Sequence, residues 1–389
     1  MVKFRIFVLN NISEKGLALF PKDFYHVGPQ VQEPDAILLR SYDLHSMEIP
    51  KSVKAVGRAG AGVNNIPVNA LTLLGVPVFN TPGANANAVK ELVLAAMIIA
   101  ARNLIQAQTF VSKLSGDKET FHKTVENGKK QFAGNEIHGK TLGIIGLGAI
   151  GSRLAQAAIA LGMDVLGYDP KITVEAAWRL PSDVKSAQSV EEVLRQSDFI
   201  SLHVPVTPET KGLINIERLR LMKPTAVLLN FARAEIIDEE AVVAALDAKL
   251  IKAYVCDFPS PKMLNHPDVI AFPHLGASTE EAEENCAIMV AKQVKDFLEE
   301  GTIKNAVNFP NVEMDRESEF RLTLAHANLP NMLGRISTLL GEHGLNIHNM
   351  VNKSKGDVAY TIVDVDSPIH EEVISALKAI QGIFTIRVL

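Results

Sequence analysis

The chain has 389 residues, 47% of them hydrophobic and 21% charged, with a formal net charge of −5. Those proportions belong to a folded protein of two or three domains and exclude a disordered chain. The acidic balance excludes general attraction to nucleic acid or an anionic membrane, so an anionic small molecule must be held by a local cluster of cations. Two cysteines, Cys256 and Cys286, are too few for a disulfide framework or a zinc site; no metal is expected, and a reducing cytoplasm fits best.

In chain order, the apolar stretch Ile6–Leu9 is too short for a signal-peptide core and reads as part of a first strand, Phe4–Leu9. Ala36–Arg40, Ala55–Gly57 and Val76–Asn80 read as further short strands with helical or turn segments between them, an α/β lobe. Leu92–Ala101 is the longest apolar run, flanked by Lys90, Glu91 and Arg102. At about half the ~20 residues a membrane span needs, it reads as a buried helix.

The next segment is the most informative. A buried strand, Thr141–Ile145, runs into Gly146-Leu-Gly148-Ala-Ile-Gly151, a helix over Ile150–Leu161, and a strand ending in Asp169. Gly146 permits a tight turn, Gly148 lets backbone N–H groups approach a pyrophosphate, and Gly151 lets the helix pack closely on the strand. Asp169, roughly 20 residues further on, stands where a carboxylate accepts from the adenosine ribose and repels a 2′-phosphate. A dinucleotide site follows, with NAD favoured over NADP.

Alternation then resumes. Phe199–Val204, Ala226–Asn230, Ala253–Asp257 and Val269–Phe272 are apolar strands separated or followed by helices over Ser189–Gln196, Glu239–Lys249 and Thr279–Glu300. Near-continuous apolar strands fit a parallel sheet covered on both faces, a doubly wound α/β fold. Gly301–Glu319 lacks periodicity and reads as a linker. Beyond it, Phe320–Ala325, Met332–His343, Asn346–Lys353, Ala359–Asp366, Glu371–Ile380 and Phe384–Leu389 spell βαββαβ, the order of the ferredoxin-like plan.

Three polar clusters end strands of the second sheet: Asn230–Arg233, Cys256-Asp257 and Pro273–Thr279. Open α/β sheets place ligands at that edge. An arginine fork suits a carboxylate, a histidine exchanges a hydroxyl proton near neutral pH, and a nicotinamide exchanges hydride. Together they describe oxidation of a 2-hydroxy acid.

Gly57–Asn65, Asn80–Asn85, the glycine fingerprint, Asn230–Arg233 and His274–Thr279 resemble the D-2-hydroxyacid dehydrogenase family, over essentially the whole chain. The resemblance implies a Rossmann domain over 87–275 inserted into a substrate lobe built from 1–86 and 276–310, with the segment 318–389 similar to an ACT regulatory domain. It also implies roles residue by residue. Arg233 binds the substrate carboxylate and His274 is the acid/base; Arg40, Arg58 and the backbone of Ala61 and Gly62 hold the other end of a small phosphorylated hydroxy acid. Gly146, Gly148, Ala149, Ile150, Gly151, Asp169, Val204, Phe231, Ala232, Asp257, Gly276 and Ala277 contact NAD. His326, Asn328 and Asn346 match residues that bind L-serine in serine-regulated members, and a homodimer or homotetramer is expected.

Departures accompany the resemblance. The family glutamate that partners the histidine is missing from Asp257-Phe-Pro-Ser-Pro-Lys262, Ala234-Glu235 replaces the usual Gly-Gly, Lys90 occupies a usually small position, and Asn331 stands for a glycine. Glu235 either replaces the missing carboxylate or faces solvent. Competing readings are a sibling enzyme acting on hydroxypyruvate, glyoxylate or erythronate 4-phosphate, and a non-enzymatic NAD-sensing scaffold.

Overall fold

The polypeptide passes between two units at Asn85–Ala86 and again at Thr279–Glu280. This is a computed structural model, and it describes residues 3–10 and 12–389, the side chain of Glu175 excepted. One unit holds the chain up to Asn85 together with Glu280–Leu389; the other is Ala86–Thr279. Among the described residues no helix is long and apolar enough to cross a membrane.

In the first unit, β1 (Phe4–Leu9), β2 (Tyr25–Gly28), β3 (Ala36–Leu39), β4 (Ala55–Arg58) and β5 (Val78–Phe79) form a parallel sheet of order β2-β1-β3-β4-β5. All four residues of β3 are buried, as expected of a strand covered on both faces. The helix Glu280–Glu300 supplies much of one cover through Ala287, Val290, Val294 and Phe297. It approaches so closely that a Cβ on Gly57 would lie 2.6 Å from a Val290 methyl and 2.9 Å from one of Leu38. β2 has no counterpart in the sequence reading, because four residues with one buried side chain carry too little pattern.

The supposed linker is part of this core. Ile303, Ala306, Phe309, Val312 and Met314 are buried in it, Ile303 bridges Val312, and Phe79 bridges Ala306. Asn308 substitutes for a strand neighbour: its Oδ1 accepts from Val78 N at 2.8 Å and its Nδ2 donates to the Val76 carbonyl at 2.9 Å. Irregular backbone paired through side chains has no period for a sequence reading to detect.

In the second unit, β6 (Thr141–Ile145), β7 (Asp164–Tyr168), β8 (Val184–Ser186), β9 (Phe199–Leu202), β10 (Val227–Asn230), β11 (Ala253–Cys256) and β12 (Val269–Ala271) form a parallel sheet of order β12-β11-β10-β9-β6-β7-β8. The order reverses between β6 and β9, and the crevice beyond the carboxyl ends at such a reversal is where open α/β sheets bind ligands. The apolar run Leu92–Ala101 lies in the helix Ala86–Ala101, which buries Val93, Ala96, Met97 and Ala100.

The tail forms an antiparallel sheet from β13 (Phe320–Ala327), β14 (Ile347–Lys355), β15 (Val358–Val365) and β16 (Ile383–Val388), of order β14-β15-β13-β16. The helices Met332–Glu342 and Glu371–Lys378 pack against Leu322, Leu324, Val363 and Val365 on one face. The alternate residues Ala325, Tyr360 and Ile362 join the lobe core around Phe297 and Phe309.

Arg321 of β13 fixes this docking. It is fully buried, and all five of its N–H groups have partners: Nε and Nη2 fork onto Asp364 at 2.6 and 2.9 Å, Nη1 donates to the Glu300 and Met314 carbonyls at 3.1 Å each, and Nη2 reaches Asp315 O at 2.9 Å. Arg321→Met leaves Asp364 buried and unpaired and is expected to destabilise the first unit by about 3–5 kcal/mol. Adding Asp364→Leu should recover part of that loss, and urea unfolding of the single and double variants measures both.

Candidate active site

The nucleotide turn is built by exclusion. Gly146 has φ 97°, and a Cβ there would lie 2.5 Å from the His203 carbonyl oxygen. A Cβ on Gly151 would collide with the Gly146 carbonyl, whereas nothing lies within 4 Å of one on Gly148. Gly148 and Ala149 are exposed and Ile150 is half-buried, and the helix Ala149–Ala160 has no side-chain cap. Its first N–H groups therefore face open ground, which suits a diphosphate. Asp169 braces the turn: Oδ2 accepts from Leu147 N at 2.9 Å and Oδ1 from Lys171 N at 3.0 Å. Carboxylate oxygens have further lone pairs for ribose hydroxyls.

Three strand ends supply the polar groups. At β10, Asn230 is fully buried; its Nδ2 donates to the Arg233 carbonyl at 2.8 Å, and its Oδ1 accepts from Ala232 N at 3.2 Å. These bonds shape the strip Phe231–Arg233, with Phe231 buried and the Arg233 side chain exposed. Beyond β11, Asp257 is 1% exposed; Oδ2 accepts from Gly276 N at 3.1 Å, while Oδ1 is buried without a partner. Burial pushes this carboxyl above its ordinary range, against the opposing pull of the Gly276 N–H, His274 and Arg233. An orphaned acceptor there fits a donor such as a carboxamide N–H.

His274 follows β12 in the left-handed region at φ 45°, held by its N–H to the Asp257 carbonyl at 2.9 Å. Its ring packs on Phe258, with centroids 4.8 Å apart. Both line a cavity of about 560 Å³ with Glu239 and Ser260, and the Ser260 hydroxyl donates to the Glu239 carboxylate. Glu235 is exposed. Two carboxylates share this cavity with the histidine, Asp257 and Glu239; the sequence reading missed Glu239, which in the first turn of a helix looks like an ordinary dipole-matching acid. Val204 and Ala277 are half-buried and Gly276 is buried. Lys90 donates to Asn87 Oδ1 at 2.7 Å.

In the first unit, Arg40 and Arg58 follow β3 and end β4. Arg58 Nε donates to the Arg40 carbonyl at 3.0 Å and Nη1 to the Gly62 carbonyl at 2.6 Å, while Asn80 Nδ2 donates to Ala61 O at 2.6 Å. Arg40 pairs with Glu283. That contact was not foreseen, since the two residues lie far apart in sequence.

In the tail, His326 is 2% exposed. Nδ1 lies 2.8 Å from the Ala327 carbonyl and Nε2 2.8 Å from Thr361 Oγ1, and burial lowers the pKa of the ring. The Ala327 carbonyl can only accept, so Nδ1 carries a proton, and Thr361 Oγ1 donates in turn to Asn352 Oδ1 at 2.8 Å. Asn328 Nδ2 donates to the Gly356 carbonyl at 3.1 Å, and Asn346 is exposed. Asn331 adopts φ 60°, the conformation a glycine takes without strain. Among the described residues no group of three or more potential metal ligands occurs.

Residues 94–276 match the family D-isomer specific 2-hydroxyacid dehydrogenase, NAD binding domain. The chain is 37% identical over 352 residues to the D-3-phosphoglycerate dehydrogenase of Haemophilus influenzae, covering 87% of this chain and 82% of that protein. It belongs to the D-isomer specific 2-hydroxyacid dehydrogenase family, and its second unit carries an NAD-binding domain. It is also 37% identical to the D-3-phosphoglycerate dehydrogenase of Methanocaldococcus jannaschii, spanning 57% of that longer relative. Among solved structures, NAD⁺-bound 3-phosphoglycerate dehydrogenase of Entamoeba histolytica is 28% identical with a TM-score of 0.61, covering 79% of this chain and 99% of that one.

His203, whose carbonyl crowds Gly146, gives the NAD-binding unit a pH signature. Its ring meets Ser201 Oγ at 2.8 Å, Nδ1 is buried without a partner, and burial lowers its pKa from 6.5 to about 4. Between those values the unfolded chain binds the extra proton, so stability rises with pH across the window, by about 3 kcal/mol at most, and the contribution is fully present above pH 6.5. Thermal unfolding across pH should show that slope in the parent and a shallower one in His203→Gln.

Proposed function

We propose that the chain oxidises D-3-phosphoglycerate to 3-phosphohydroxypyruvate with NAD, the first step of phosphorylated L-serine biosynthesis, in the cytoplasm. The observation that carries this reading is a 37% identity spanning 82% of a D-3-phosphoglycerate dehydrogenase, on a chain whose β10–β12 ends bear Arg233, Asp257 and His274. The Arg40 and Arg58 cluster supports a phosphorylated substrate, because an acidic protein needs local cations to hold one.

The glycine turn, Asp169, Val204, Phe231, Ala232, Asp257, Gly276 and Ala277 hold the cofactor. Bound NAD supplies the hydride acceptor. Arg233 pairs with the substrate carboxylate and orients it. An imidazole nitrogen of His274 takes the hydroxyl proton as the alcohol becomes a carbonyl. With Asp257 given to the cofactor, Glu239 is the other carboxylate of the cavity and the one available to the histidine, either directly or through Ser260.

The segment 318–389 is an ACT regulatory domain that binds L-serine through His326, Asn328 and Asn346. The chain works as a homodimer or homotetramer. The helix Leu104–Ser112, which buries none of its residues and exposes Leu104, Ile105 and Val111, supports association.

Turnover of 3-phosphohydroxypyruvate with NADH tests the reading, and a folded protein without it sinks the reading. Arg40→Ala and Arg58→Ala should each raise KM for the phosphorylated substrate about tenfold or more, from loss of a charge-assisted contact. Glu239→Gln should lower kcat while Glu235→Gln leaves it unchanged; the reverse would make Glu235 the partner of the histidine. L-Serine should bind in calorimetry, and Asn346→Ala should remove the binding while turnover persists.

A further inference from the structure

The first unit contains a second cavity, of about 430 Å³, where the β14–β15 hairpin meets the segment after the long helix. That volume lies in the range of small-molecule sites. Its polar lining is the amides of Asn80, Asn305 and Asn311, the Ser354 hydroxyl and the Lys355 ammonium, with Phe309 among its apolar residues; no Asp or Glu lines it. Lys355 Nζ donates to the Ala306 and Val307 carbonyls at 3.3 and 2.9 Å. These two bonds leave one of its three N–H groups, and among the described residues no carboxylate pairs with it. Uncompensated positive charge beside amide donors and a ring is the chemistry that recognises a short-chain carboxylate.

The surroundings connect this cavity to the substrate arginines. Asn80 N donates to the Asn305 carbonyl at 3.3 Å, and its Nδ2 holds Ala61 O, next to the Gly62 carbonyl that accepts from Arg58. On the other side, Asn328 grips Gly356, one residue past Lys355. A ligand that engages the Asn80 amide therefore acts on the loop that positions Arg58.

We propose that this cavity is a binding site for a small carboxylate anion, and that its occupancy is felt at the Ala61–Gly62 loop. The binding claim stands apart from the catalytic reading, because its test measures no turnover.

The test is calorimetric titration of the full chain with malonate, and with uncharged malonamide as control, followed by hydrogen exchange. Saturable malonate binding is expected, with none for malonamide. It should weaken about tenfold or more in Lys355→Gln, survive in Lys355→Arg, and vanish in Ser354→Glu, which places a negative charge in the cavity. Bound malonate should slow exchange at Asn80–Ala84. No saturable binding overturns the proposal. So does equal affinity in the parent, Lys355→Gln and Ser354→Glu, which would put the anion on the arginines instead.

Discussion

The first unit depends on how the end of one helix is satisfied. The last carbonyls of Glu280–Glu300 have no partners within the helix and carry its negative partial charge. Two tail arginines meet them: Arg387 donates to Phe297 and Leu298 O at 3.0 and 2.8 Å and lies over the Phe297 ring at 4.3 Å, and Arg321 takes Glu300 O. The same helix covers β4 so closely that only glycine fits at 57, and near its start it sets Glu283 against Arg40. Lobe, tail and candidate substrate cation are thus referred to one rigid element.

Buried ion pairs seldom add net stability, because desolvation offsets their attraction. The Arg321–Asp364 fork is better understood as a specifier. Five donors with five geometrically fixed acceptors accept only one register of the tail sheet on the lobe, whereas the apolar contacts of Ala325, Tyr360 and Ile362 would tolerate several.

The polar edge of the second unit, where β10, β11 and β12 end, follows a similar logic of backbone positioning. Asn230 holds the turn that presents Arg233, and the Asp257 carbonyl and carboxylate hold the N–H groups of His274 and Gly276. The left-handed backbone at His274 is a cost that these bonds maintain, the kind of local strain that concentrates where a side chain must be aimed. Asp257 Oδ1, left unsatisfied in the interior, is the other such cost.

Much of this was legible in the residues alone. Short, near-continuous apolar runs announced both parallel sheets, the glycines and Asp169 announced the nucleotide turn, and βαββαβ announced the tail, because those signals are local: a turn needs a particular φ, a covered strand needs apolar residues on both faces. What the sequence by itself determined was therefore most of the strands, the order of the tail's elements and the glycine turn of the NAD-binding unit. Only the tertiary structure decided that the aperiodic Gly301–Glu319 is core, that Arg40 faces Glu283, that Glu239 rather than Glu235 shares a cavity with His274, and that Arg321 and Arg387 close the end of a helix. Each of these pairs residues far apart in the chain or turns on which way a side chain points, and neither has a period, a spacing or a local conformation to record it.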